Sequence, residues 1–75
     1  MLSDADKALL DLEAQRFRQS GHKVAAIVKQ LGLTEVRYYQ RLNQLIDDPA
    51  ALAYSPVVVN RVRRLRDKRA RAERD

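Results

Sequence analysis
Four side chains between residues 37 and 44 are of the types that read bases: Arg37, Gln40, Arg41 and Gln44. Arginine makes paired hydrogen bonds to a guanine edge, and glutamine does the same for adenine. With Glu35 set at zero and a step of about 100 degrees per residue, the four fall between about 140 and 240 degrees. They share the outward side of one helix. Leu45, Tyr38, Leu42, Ile46 and Tyr39 fall between about 280 and 40 degrees, the side expected to meet a core. Asn43, at about 80 degrees, lies on the flank and is set aside.

A second set of groups suits a polyanion. Arg61, Arg63, Arg64, Arg66, Lys68, Arg69, Arg71 and Arg74 surround the C-terminal segment on all sides. Residues 1–55 hold 7 basic and 7 acidic side chains, whereas residues 56–75 hold 8 basic and 3 acidic, so the net charge of +5 sits in the last 20 residues. Like charges this dense repel one another, and phosphates relieve the repulsion while releasing counterions. A membrane surface would need large apolar groups opposite the basic ones, and only Ala70 and Ala72 follow Leu65.

Other chemistry finds little support. There is no cysteine, a single histidine (His22), no glycine-rich phosphate loop and no carboxylate pair placed for acid–base work. No catalytic residue, metal site, cofactor or small-molecule substrate is expected. Asp47-Asp48 precedes Pro49 and reads as a helix cap. Glu35 suits the positive end of a helix dipole. Tyr38 and Tyr39 invite base stacking, but their phase turns both towards the core, where a tyrosine ring packs and its hydroxyl finds an acceptor.

Elements of regular spacing must carry these groups. Residues 23–46 read K-V-A-A-I-V-K-Q-L-G-L-T-E-V-R-Y-Y-Q-R-L-N-Q-L-I, the punctuation of a helix-turn-helix. Gly32 can take the left-handed angles that end a helix, Leu33 plugs the corner, and Thr34 can cap the next helix. Helix 2 is expected from about His22 to Leu31, with Val24, Ile27, Val28 and Leu31 inward. Helix 3 should run from the Thr34 cap to Ile46 or Asp47. Ser3-x-x-Asp6 resembles a capping box and should start helix 1, which runs to about Ser20 and is ended by Gly21. Its apolar stripes are Ala5, Leu9 and Leu12, and beside them Leu10, Ala14 and Phe17. Asp48-Pro49 opens a short helix to Tyr54, and Ser55-Pro56 opens a last one with Val58, Val62 and Leu65 on one face. Residues 66–75 favour helix by propensity but lack a core face, so they read as a projecting or frayed tail.

No segment alternates with period two, so the expectation is all-α: a small helical bundle containing a helix-turn-helix, with a basic C-terminal helix or tail. The division is a helical domain over 1–65 and a basic extension over 66–75. At 75 residues the chain is one domain that buries only about 60% of its unfolded surface. Without disulfides, helical packing, oligomerisation or a partner must stabilise it. No apolar run reaches membrane length and the N-terminus is not a signal peptide, so a cytoplasmic protein is expected.

The segment G-L-T-E-V-R-Y-Y-Q-R-L-N-Q-L-I-D-D-P-A-A-L, followed by P-V-V-V-N-R-V-R-R-L-R, resembles a family of small actinobacterial proteins catalogued as a domain of unknown function. The similarity covers roughly residues 5–72, and Y-Y-x-x-L-N-x-L-I-D-D-P-A-A is its specific part. The resemblance implies a cytoplasmic, nucleoid-associated DNA-binding protein. It supplies no contact residues.

The expected function is therefore non-enzymatic binding of duplex DNA, organising the chromosome or modulating transcription with low sequence selectivity. A site-specific variant would need a homodimer to read two half-sites. The alternatives are an adaptor that docks on the transcription machinery and an RNA-binding module.

Overall fold
Ser3 starts the first helix, its hydroxyl accepting from the Asp6 amide at 3.1 Å. The computed structural model describes residues 1–15, 17 and 19–74, with side chains except at Ser20 and 72–74. Among the described residues five helices follow one another: α1 (Asp4–Ala14), α2 (Ser20–Ala26, continued by a π turn over Ile27–Leu31), α3 (Glu35–Leu45), α4 (Pro49–Tyr54) and α5 (Pro56–Arg74). No strand occurs among them.

The punctuation reads as the residues require. Gly32 closes the π turn at φ +66, in the left-handed region that glycine occupies without a Cβ penalty. The Thr34 hydroxyl accepts from the Arg37 amide at 3.2 Å and caps α3. The Asp48 carboxylate accepts from the Ala50 amide at 2.9 Å, with Pro49 at the first helical position of α4. Pro56 opens α5.

Leu9, Leu10 and Leu12 of α1 meet Ile27, then Tyr38, Leu42 and Leu45 of α3 with Ile46, and Ala51, Val58 and Val59 of the C-terminal helices. Each large side chain so buried contributes about 1.5–3 kcal/mol against chain entropy. Phe17, Leu31, Leu33 and Val62 pack on the margin.

Several elements differ from expectation. Helix α1 stops at Ala14, not near Ser20, and Gly21 lies inside the first turn of α2; residues 16 and 18 of that expected helix lie outside the described residues. The Arg61 guanidinium donates to the Glu13 carbonyl at 2.7 Å, so α1 ends on a side chain supplied from 48 residues away. Ala5 and Ala14 are exposed and Leu10 is buried. In helix 2 the wider π turn carries Val28 off the inner face to 56% exposure. Tyr39 is 39% exposed while Tyr38 takes the core position, and the two rings meet at 89°. On α5, Val59 is buried and Leu65 is 56% exposed, since the helix has already passed the core at Val62.

Candidate nucleic-acid interface
Helix α3 brings Arg37, Gln40, Arg41 and Gln44 together, all exposed, on one side of a shallow hollow of about 320 Å³. Ala5 and Asp6 of α1, with Leu9 and Leu33, form the other side. The four differ in what they are free to do. Arg41 Nε donates to Asp6 Oδ1 at 2.9 Å and one terminal nitrogen to Oδ2 at 2.8 Å, a fork-to-fork pair. Its remaining terminal nitrogen donates to Gln44 Oε1 at 2.9 Å. Arg41 thereby holds the Asp6 carboxyl below the ordinary carboxylate value, against the opposing pull of burial. In return Asp6 raises the Arg41 guanidinium further. Asp6, which the Ser3-x-x-Asp6 spacing marks as a capping residue, serves here as a clamp between α1 and α3. The side chains of Arg37 and Gln40 have no hydrogen-bond partner among the described residues.

On α5 the basic residues divide in the same way. Arg61 caps α1, as above. Arg63 Nε donates to the Ile46 carbonyl at 2.6 Å and so closes the C-terminal end of α3. Cations suit these positions because a helix C-terminus carries unsatisfied carbonyls and partial negative charge. Arg66 reaches both Asp47 oxygens at 3.2 Å. Arg64, Lys68 and Arg71 follow at i, i+4 and i+7, hence on one face, all exposed and unpaired among the described residues. Arg69 is also exposed and lines a groove of about 400 Å³ between α3 and α5, with Tyr39, Leu42, Asn43, Val62 and Leu65. The Arg74 side chain lies outside the described residues.

A buried polar cluster ties α1, α2 and α3 together. Glu13 accepts from the Tyr38 hydroxyl at 2.6 Å and from Lys23 at 3.0 Å. Lys23 also lies 5.6 Å from the Tyr38 ring centre and 5.3 Å from that of Tyr39. Burial and the Glu13 bond raise the Tyr38 hydroxyl far above its ordinary value. Partial burial pulls Lys23 down, but Glu13 outweighs it and the ammonium ends above normal. The Tyr38 hydroxyl thus finds the acceptor expected of a core tyrosine. Asp6 and Glu13 were invisible as partners in the sequence, since they lie 35 and 25 residues from Arg41 and Tyr38. The one available signal was Glu13 itself, a carboxylate beside Leu12 in an apolar arc.

This arrangement offers hydrogen-bond donors and positive charge. Among the described residues no group of three His, Asp or Glu side chains could hold a metal, and no helix is long and apolar enough to cross a membrane. No curated protein and no solved structure matches the chain. A family model does match, over residues 1–74, and the chain belongs to that family, described as protein of unknown function (DUF3263).

Proposed function
We propose that the chain binds duplex DNA without catalysing a reaction, as a nucleoid-associated or transcription-modulating protein. The observation that carries this is the division of its cations. Among the described residues Asp6, Asp47 and Glu13 pair with Arg41, Arg66 and Lys23, and Asp67 approaches Arg66, while Arg37 and the Arg64–Lys68–Arg71 face are exposed and in no ion pair. In this reading α2 and α3 act as a helix-turn-helix with α3 in the major groove. Arg64, Lys68 and Arg71 follow phosphates, which favours low sequence selectivity. The nucleoid role also draws on the resemblance of the G-L-T-E-V-R-Y-Y segment to actinobacterial proteins.

The test is a mobility shift on a short duplex across a salt series, with RNA and single-stranded competitors. Duplex binding that weakens steeply with salt and resists both competitors is expected. Absence of a shift at low salt would overturn the reading. A second reading, a protein-binding adaptor, is favoured by the α3–α5 groove, where Leu65 stands 56% exposed beside Arg66 and Arg69.

A further inference from the structure
The outward crest of α3 differs from the face that residue types alone suggest. Arg41 and Gln44 are drawn towards α1 by Asp6. Tyr39 and Leu42 turn towards the α5 groove. Val36, Gln40 and Asn43 stand at i, i+4 and i+7 and therefore on one line along the crest, where Gln40 also borders the hollow towards α1 and Asn43 the groove towards α5. Arg37 flanks them. Val36 is the most exposed of the chain's internal large apolar residues but one, at 67%, and it belongs to no part of the core. It sits in the first turn of α3, directly after the Thr34 cap.

We propose that Val36 contacts the 5-methyl group of thymine in the major groove, with Gln40 and Asn43 reading adenine on the same line. The inference rests on the duplex-binding reading above and adds the class of base pair read. The N-terminal part of a recognition helix is the part that meets base edges. An exposed branched aliphatic group there has one apolar counterpart in that groove, the thymine methyl, and amide side chains form paired bonds to adenine. Of the two arginines on this helix that could read guanine, Arg41 has its fork occupied by Asp6, and Arg37 stands about 100 degrees round the helix from Val36, on the flank of the crest. Charge complementarity supplies the occupant: Arg37 on the flank, without a partner among the described residues, suits the backbone beside the groove.

The experiment compares one A·T-rich duplex with the same duplex carrying uracil for thymine, which removes only the methyl groups. The full chain should bind the thymine form about 3- to 5-fold more tightly, the scale of one buried methyl. Val36→Ala should bind both forms alike, near the affinity of the unaltered chain for the uracil form. Val36→Thr, which keeps one methyl, should retain part of the difference. Val36 lies outside the core, and thermal melting checks that each variant is folded. An unaltered chain indifferent to the methyl groups would overturn the inference while leaving duplex binding intact. So would an equal preference in Val36→Ala, because the discrimination would then come from duplex shape. Failure to bind either duplex would remove the duplex-binding reading and this inference together.

Discussion
Arg61, Arg63 and Arg66, which lie on and beside the packed face of α5, can be set against Arg64, Lys68 and Arg71 on its outward face. The first two reach inward to the Glu13 and Ile46 carbonyls, and Arg66 reaches the exposed Asp47 carboxylate. The second three meet no protein partner among the described residues. Composition and local propensity are the same for both. What separates them is where α1 and α3 end, because a helix C-terminus offers acceptors that a guanidinium can take. A basic helix can therefore brace the protein with the cations beside its packed face and leave those on its outward face without a protein partner among the described residues. Helix α3 repeats the contrast on a smaller scale, with Arg41 clamped by Asp6 and Arg37 unpaired among the described residues.

The sharpest way to separate the two sides is to remove one. The triple variant Arg64→Ala/Lys68→Ala/Arg71→Ala should keep its melting temperature and lose about 100-fold in duplex affinity near physiological salt. Its slope of log affinity against log salt should flatten by about 2.7, at about 0.9 per lost phosphate contact. An unchanged slope would make that face a solvated surface. The reverse behaviour is expected of the braces. Arg61→Ala and Arg63→Ala should each destabilise the fold by about 1–3 kcal/mol, which in a domain this size lowers the melting temperature by about 4–8 °C per kcal/mol. Thermal denaturation followed by circular dichroism measures it, and no change in either variant would end the distinction.

The Asp6–Arg41 clamp predicts a smaller, pH-dependent effect. Unfolded, Asp6 titrates near 3.8, and the fold holds it lower. Between those two values the unfolded chain binds a proton that the folded chain refuses, so stability falls on acidification through that window. The contribution is fully present above the unfolded value. Asp6→Asn should cost about 1–2 kcal/mol at neutral pH, since Arg41 is half exposed, and should flatten this part of the stability–pH curve. Urea titrations at several pH values test both. The smallest effect belongs to Arg66→Ala. Its pair with Asp47 is exposed on both sides, so a loss of at most about 0.5 kcal/mol is expected. A larger loss in the same titrations would place Arg66 among the true braces.

Much of the fold was legible because its signals are local. Gly32, Thr34, Asp48-Pro49 and Pro56 each act within one turn of themselves, and each stands where its chemistry suggests. The core of α3 was legible at Tyr38, Leu42, Leu45 and Ile46 because a regular helix keeps its phase. Phase failed where regularity failed. The π turn displaced Val28, and α1 ended six residues before the expected Ser20 boundary. Tyr39 and Leu65 lie at the edges of apolar arcs, and only the position of the neighbouring helix decides whether an edge is covered.

The sequence by itself determined an all-helical chain, three of its turns, the inner face of α3 and the concentration of positive charge in the last 20 residues. These depend on backbone preference and spacing, which act over a few residues. Only the tertiary structure decided which arginines are held by the protein and which stay unpaired among the described residues. That choice depends on carbonyls and carboxylates 17 to 48 residues away, brought into reach by packing that no local pattern encodes.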